Sequence, residues 1–67
     1  MDRVKIDVIH NNKICNIDCH NSIYLSELCE VFNSNKKYIY SVFNEAFFEV
    51  NLKLYETDIV SGDIVFL

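Results

Sequence analysis

The sequence predicts an α+β domain in which a five-stranded mixed sheet packs against a single helix. Three observations lead to this class. Apolar and polar residues alternate in two stretches near the N-terminus, a segment with helical spacing follows, and three short runs rich in apolar residues complete the chain. A chain of 67 residues has room for one hydrophobic core. We therefore interpret residues 1–67 as one domain.

The N-terminal part of the chain predicts a β-hairpin. Val4, Ile6 and Val8 alternate with charged residues, which is the period of a half-buried strand. Asn11-Asn12 follows, and asparagine tolerates the positive φ angles of a two-residue hairpin turn. Residues 14–19 return as a second strand. One face of that strand carries Cys15, Ile17 and Cys19.

The middle of the chain predicts one helix and a loop. Asn21-Ser22 offers a helix cap, since short polar side chains bond to the first free backbone N–H groups. Apolar residues then recur at helical spacing, at Leu25, Leu28, Cys29 and Phe32. The polar residues 33–37 end the helix.

The C-terminal half predicts three more strands. Residues 38–43 form the third strand, residues 46–50 the fourth and residues 64–67 the fifth, with an irregular or single-turn segment over 52–59. This order of elements is that of the β-grasp (ubiquitin-like) fold, in which one helix packs across a mixed sheet. A ferredoxin-like arrangement would need a second helix, and the sequence offers none.

Composition and charge restrict the classes of function. The net charge is −4, and residues 45–67 hold five acids against one base. Such an end repels nucleic acid and anionic lipid and suits a basic protein partner, although a solvated rim without a partner would look the same. No apolar run reaches the ~18 residues of a membrane span, and no leader opens the chain. Three cysteines, an odd number, favour a reducing compartment, so we expect a cytoplasmic protein.

The residue types that carry catalysis do not form a recognisable site. We find no acid–base pair, no nucleophile with a base and no cofactor loop, so we expect a domain that is not an enzyme and binds no cofactor. His10, Cys15, Cys19 and His20 are of metal-binding type, but the hairpin separates the two histidines, so we expect no metal. Ser61-Gly62-Asp63 is predicted to be a turn rather than a phosphate loop.

Alternation in the third and fifth strands predicts an apolar surface. Ile39, Ser41 and Phe43 are expected to face the helix, together with Val65 and Leu67. The opposite, open face then carries Tyr38, Tyr40, Val42, Ile64 and Phe66. The two strands are neighbours in a β-grasp sheet, so we expect a contiguous patch that binds a protein partner. The alternative is a register shifted by one residue, which would turn Tyr40 and Phe66 into the core.

Several segments resemble a known family. Residues 39–45, a strand followed by a turn, and residues 55–65, which contain Ser61-Gly62-Asp63, resemble ThiS/MoaD-type sulfur carriers. The hairpin of residues 4–13 and the helix start at 22–28 occur in matching order. The resemblance implies the β-grasp fold and a role in sulfur transfer for thiamine (thiazole) biosynthesis. Glu45 stands where the family has its turn glycine, so we expect a different turn geometry.

The C-terminus departs from that family. Its carriers end in Gly-Gly, whose carboxylate is adenylated, whereas this sequence ends at Leu67. It therefore looks more like the ThiS-like N-terminal domain found on ThiF-type adenylyltransferases. We expect a non-catalytic interaction domain that is associated with such an enzyme or forms part of it. The alternatives are a sulfur carrier whose Gly-Gly tail lies beyond Leu67, and a ubiquitin-like adaptor or homodimer of another pathway.

Overall fold

The computed structural model describes residues 2–67 and contains the predicted five-stranded mixed sheet with one helix. The elements are β1 (Arg3–His10), β2 (Lys13–His20), α1 (Leu25–Val31), β3 (Tyr38–Ser41), β4 (Ala46–Glu49), a 3₁₀ turn (Leu54–Glu56) and β5 (Ile64–Phe66). The strands lie in the order β2-β1-β5-β3-β4. β1 and β5 pair in parallel, and the other neighbours pair antiparallel. The predicted α+β, β-grasp class is confirmed.

The N-terminal hairpin forms through the predicted asparagine turn. Asn11 and Asn12 have φ angles of 52° and 61°, both in the left-handed region that asparagine tolerates. This tight turn sets the register, so Ile9 lies opposite Ile14 and Ile6 lies opposite Ile17.

The helix begins later than predicted. Its N-cap is Tyr24, and the Glu27 carboxylate accepts the Tyr24 N–H at 2.7 Å. The predicted cap at Asn21-Ser22 is wrong, because the first helical N–H groups, those of Leu25 and Ser26, donate to the backbone carbonyls of Leu52 and Val50 at 2.9 and 2.8 Å. Within residues 2–67, no helix is long and apolar enough to cross a membrane.

The end of the helix is a Schellman motif. Asn33 has a φ of 55°, and its N–H donates to the Glu30 carbonyl at 3.0 Å. The Ser34 N–H donates to the Cys29 carbonyl at 2.9 Å. Asparagine tolerates the left-handed conformation that this motif requires, and the two bonds satisfy carbonyls that the last turn leaves free.

The core lies between the helix and one face of the sheet. Its buried apolar residues are Ile6, Val8, Leu25, Leu28, Cys29, Ile39, Leu54, Ile59 and Val65. Leu54 and Ile59 come from the segment predicted to be irregular, which therefore closes one side of the core. Residues predicted to line the helical stripe are buried, except that Phe32 is half-buried at the helix end.

The third strand is shorter than predicted, and this changes the position of Phe43. β3 ends at Ser41, and the chain then turns, with the Glu45 N–H donating to the Val42 carbonyl at 3.3 Å. Phe43 is 58% exposed, so the prediction that it faces the helix is wrong. Glu45 adopts a φ of 49°, in the region that favours glycine.

Candidate functional site

The predicted patch residues lie on the sheet face opposite the helix. Strand neighbours alternate between the two faces, and Ile39, Ser41 and Val65 are fully buried, so the residues between them point outward. Tyr38 is 53% exposed and Phe66 43% exposed. The other three predicted residues, Tyr40, Val42 and Ile64, are half-buried. Sheet pairing brings these five residues together on adjoining strands.

Val42 belongs to this face although β3 ends one residue before it. Its N–H donates to the Ile64 carbonyl at 2.9 Å, so pairing with β5 continues past the strand end. Val42 follows the buried Ser41 and therefore takes the outward position.

Tyr40 lies at the centre of an aromatic group on the open face. Its ring packs edge-on against Phe47 at a centroid distance of 5.0 Å, and it lies 6.4 Å from the Phe66 ring. The interplanar angles are 63° and 58°, in the range that the ring quadrupoles favour. These contacts hold Tyr40 in place and leave the outer surfaces of Phe47 and Phe66 exposed.

An apolar row crosses all five strands on this face. Strand pairing places Ile14 beside Ile9, Ile9 beside Phe66, Phe66 beside Tyr40, and Tyr40 beside Phe47. We call these five residues the apolar row. Its two ends are its most exposed members, Ile14 at 72% and Phe47 at 69%. A row of this length on a solvent-facing sheet is unusual, because the solvent-exposed face of a sheet normally carries mainly polar residues.

Three members of the apolar row were missed in the sequence. The two-residue Asn turn was a usable signal for Ile9 and Ile14, since it places them opposite each other. Phe47 gave no such signal, because Phe47 and Phe48 are adjacent and identical. The structure decides between them, with Phe48 packed against the core and Phe47 turned outward.

Charged residues flank the apolar row on both sides along the strand direction. Lys36 and Lys37 precede β3 and line a shallow depression with Tyr40 and Phe66. On the other side, Asp7 lies one outward position along β1 from Ile9 and accepts a hydrogen bond from Asn16 at 3.1 Å. Glu45 lies at the same end, in the turn between β3 and β4. Two lysines thus lie on one side of the row, together with Glu49, which pairs with Tyr38, and two carboxylates lie on the other side.

A buried polar network lies beneath this face. Asp63 is fully buried, and its carboxylate accepts hydrogen bonds from the Ser41 hydroxyl at 2.5 Å, the Phe43 N–H at 3.0 Å and the Ile64 N–H at 2.7 Å. Asn44 Nδ2 in turn donates to Ser41 Oγ at 2.9 Å. The network joins β3 to β5 under the apolar row. The sequence pattern predicts Asp63 only as part of a turn.

The residues of metal-binding type lie apart. His10 packs its ring against Phe32 at 5.5 Å, and His20 lies at the far end of the hairpin with Nε2 3.8 Å from the Asp2 carboxylate. Among residues 2–67, no three His, Cys, Asp or Glu side chains are grouped to hold a metal ion. Cys15 is exposed, and burial raises the pKa of Cys19 and of Cys29. Those two thiols are therefore poor nucleophiles.

Comparison with known proteins adds no assignment. No protein-family model matches this chain, and no curated protein matches it significantly.

Proposed function

We propose that this domain is a non-catalytic interaction module and that the apolar row is its binding surface for a protein. The observation that carries the proposal is the apolar row. It crosses all five strands without a break, and its two ends, Ile14 and Phe47, are its most exposed members. Proteins rarely leave such a surface permanently exposed to water. Aromatic residues are also the types most enriched at the centres of protein interfaces.

Covering the row would contribute favourably to the free energy of binding. At about 25 cal/mol per Å², burying roughly 300 Å² of apolar surface supplies on the order of 7 kcal/mol before the entropy cost of association. The flanking charges would orient the partner more than they would strengthen its binding, because charges at the rim of an interface are largely screened by solvent and salt.

A protein partner fits this surface better than a nucleic acid. Base stacking on aromatic residues requires a basic surround to hold the phosphates, whereas this chain carries a net charge of −4. Lys36 and Lys37 are two cations at one side of the row, and Asp7 and Glu45 border the other side.

Within this proposal, the finer assignment is a ThiS-like domain whose partner is a ThiF-type adenylating enzyme of thiazole sulfur transfer, either separate or fused. Its support is the resemblance of residues 39–45 and 55–65 to the ThiS/MoaD family, together with the β-grasp order of the elements. A cytoplasmic location belongs to the same proposal, and the three cysteines, all free thiols, are in keeping with it.

The experiment compares binding of a purified ThiF-type adenylating enzyme to three forms of the domain by titration calorimetry. The forms are the wild type, the row variant Phe47→Ser/Phe66→Ser, and the control variant Val31→Ser/Val60→Ser. All four positions are exposed, so each variant should fold. We expect the wild type and the control to bind equally and the row variant to bind at least about tenfold more weakly.

Two other results would be informative. Equal binding by all three forms would show that the row is not the surface. Absence of enzyme binding to the wild type would overturn the ThiF-type assignment. The interaction role would then be tested with the immobilised domain. A supporting result would be a protein that binds the wild type and the control but not the row variant, and that binds again after it has been identified and purified.

A further inference from the structure

The outer edge of β2 is the longer of the two edges of the sheet. β2 and β4 are the end strands of the order β2-β1-β5-β3-β4. β2 contains 8 residues and pairs with β1 without a bulge along its whole length, whereas β4 contains 4. The chain after β4 also turns back at once, with the Leu52 N–H donating to the Glu49 carbonyl at 3.2 Å. Natural sheets blunt their edges with short strands, bulges or prolines, and β2 has none of these.

The hydrogen bonds of β1 show which backbone groups of β2 point outward. The Asp7 N–H donates to the Asp63 carbonyl at 3.1 Å, and the Ile9 carbonyl accepts the Leu67 N–H at 3.0 Å, so Asp7 and Ile9 bond toward β5. Successive residues of a strand direct their backbone groups to opposite sides, so the β1 residues that alternate with these two bond toward β2. The β2 partners of those residues bond inward, and every other residue of β2 directs its N–H and C=O groups away from the sheet. The outward residues are Ile14, Asn16, Asp18 and His20.

This edge is uncovered, and its chemistry specifies the kind of partner that fits it. Within residues 2–67, no strand pairs with it. Two of its carbonyls have other donors, since the Asp18 carbonyl accepts from Arg3 Nη2 at 3.1 Å and the His20 carbonyl accepts the Ile23 N–H at 3.3 Å. A carbonyl oxygen has two acceptor positions, so both can accept a further bond. Donors and acceptors repeated at strand spacing are matched by the backbone of another extended strand.

We propose that this edge pairs with the same edge of a second copy of the chain, antiparallel, about a two-fold axis perpendicular to the sheet. Ile17 of each copy lies at the axis, opposite Ile17 of the other. The two sheets then form one continuous sheet with both helices on the same face. One edge used twice is the arrangement on which symmetric dimers are built.

The side chains of β2 are self-complementary in this register. Only registers that pair outward residues with one another form the hydrogen bonds between the copies. With Ile17 at the axis, Cys15 lies opposite Cys19 of the second copy, and Asn16 lies opposite Asp18 of the second copy. Apolar side chains and thiols thus meet on one face of the sheet, and an amide meets a carboxylate on the other.

The neighbouring registers are poorer matches. A shift of two residues in one direction would place the two Asp18 carboxylates opposite each other, and like charges directly opposite in a sheet are destabilising. The same shift in the other direction would place Ile14 opposite Asp18, an apolar side chain against a charge. Lys13, of the residue type that most often protects an edge from pairing, lies at the end of the paired segment beside Asn21 of the second copy.

This inference goes beyond the proposed function and uses a different surface. Because the axis is perpendicular to the sheet, the apolar rows of the two copies lie on the same face of the combined sheet and stay uncovered. The two proposals therefore fail separately. The row variant Phe47→Ser/Phe66→Ser should dimerise as the wild type does.

Sedimentation equilibrium of the wild type, Asn16→Pro and the matched control Asn16→Ala tests pairing through the edge. Asn16 is exposed, and both changes remove its hydrogen bond to Asp7, but only proline removes the outward N–H. We expect the wild type and Asn16→Ala to dimerise with similar dissociation constants. Asn16→Pro should raise the dissociation constant at least about tenfold, because the lost N–H occurs twice in the dimer.

The cysteines test the register. Residues 15 and 19 of opposing copies form a non-hydrogen-bonded pair, in which Cα atoms lie about 4.5 Å apart, within the range of a disulfide. Diamide oxidises two such thiols to a disulfide and takes up their two hydrogens. Cys15→Ser mixed with Cys19→Ser should therefore crosslink at least about tenfold faster than either variant alone. Proteolysis after Glu27 separates these positions from Cys29 and identifies the joined residues.

Four results would contradict the proposal in whole or in part. A wild type that stays monomeric at millimolar concentration, or an Asn16→Pro variant that is folded by circular dichroism and dimerises as tightly as Asn16→Ala, would overturn pairing through the edge. Crosslinking of Cys19→Ser alone would place Cys15 against its own copy and overturn the register. Loss of the dimer in the row variant would show that the copies meet through the open face instead. If Asn16→Pro did not fold, the mixed crosslinking would decide the pairing by itself.

Discussion

At the residue scale, Asp63 shows how one buried carboxylate can determine a strand junction. Its carboxylate receives the Ser41 hydroxyl and two backbone N–H groups, those of Phe43 and Ile64. Buried ionisable groups are tolerated when hydrogen bonds replace the lost hydration. The bond to the Phe43 N–H also accounts for the end of β3, since that N–H is drawn toward Asp63.

We predict that Asp63→Ala destabilises the domain by about 2–4 kcal/mol, because a buried hydroxyl and two N–H groups would lose their acceptor. Asp63→Asn should cost less, since an amide oxygen still accepts from the backbone. Denaturant unfolding followed by circular dichroism measures both. Asp58→Asn changes an exposed acid in the same part of the chain and should shift stability by less than about 0.5 kcal/mol. Equal losses at positions 58 and 63 would contradict the role of the network.

Glu45 holds a backbone conformation that its side chain disfavours. Its φ of 49° costs a non-glycine residue about 1–2 kcal/mol, partly offset by the greater freedom of glycine in the unfolded chain. We therefore predict that Glu45→Gly stabilises the domain by about 0.5 kcal/mol. Urea midpoints measure the change. The control is Glu49→Gly within β4, where φ is not positive and glycine should destabilise by a similar or larger amount.

At the element scale, the short helix depends on the contact at its start. α1 spans 7 residues, and a helix of this length is unstable unless its ends are satisfied and one face is packed. Glu27 supplies the contact by accepting the Tyr24 N–H, and its charge also suits the positive end of the helix dipole.

We predict that Glu27→Ala lowers the free energy of unfolding by about 1 kcal/mol. Glu30→Ala is the matched control. It removes another exposed carboxylate of the same helix, one that caps nothing, so stability should change little. Thermal unfolding of the two variants under identical buffer gives the comparison. If Glu30→Ala were the more damaging change, the assigned helix start would be incorrect.

The elements that could be predicted are those specified by local chemistry. The Asn11-Asn12 turn and the alternation of Val4, Ile6 and Val8 determine the first hairpin without reference to the remainder of the chain. The boundaries that were missed depend on distant partners. Ser22 is a good capping residue by type, but the first N–H groups of the helix, those of Leu25 and Ser26, donate instead to the distant carbonyls of Leu52 and Val50.

The candidate site was predictable only in part, for a related reason. Alternation along β3 and β5 was enough to find Tyr40 and Phe66, because their neighbours are unambiguous core residues. The adjacent Phe47 and Phe48 leave the orientation of β4 open, and only pairing with β3 decides it. The burial of Asp63 depends on Ser41, 22 positions earlier in the chain. No local pattern signals such a contact.

At the scale of the whole molecule, the single core limits both stability and exposure of apolar surface. A domain of 67 residues has a free energy of unfolding of roughly 3–10 kcal/mol. Within residues 2–67, nine apolar residues are buried in the core, while the five-residue row lies on the opposite face. The helix therefore covers one side of the sheet only, and the row lies on the side that it leaves uncovered.

The reactivity of the cysteines measures how rarely the core opens to solvent. Cys15 is exposed, whereas Cys29 is 2% exposed and burial raises its pKa, so its reactive thiolate is both scarcer and inaccessible. We predict that, at pH 8, a thiol reagent modifies Cys15 at the rate of a free thiol and Cys29 at least about 100-fold more slowly. The single-thiol variants Cys19→Ser/Cys29→Ala and Cys15→Ser/Cys19→Ser separate the two rates.

Adding Asp63→Asn to each single-thiol variant makes this a test of cooperativity. If the domain opens as one unit, Cys29 modification should accelerate by the same factor as the unfolding equilibrium shifts, since modification then proceeds through the open state. Cys15 modification should not change, because its thiol is already accessible. A Cys29 rate that is insensitive to Asp63→Asn would mean that α1 opens independently of the β3–β5 junction. The core and the strand junction beneath the apolar row would then be separate units of stability.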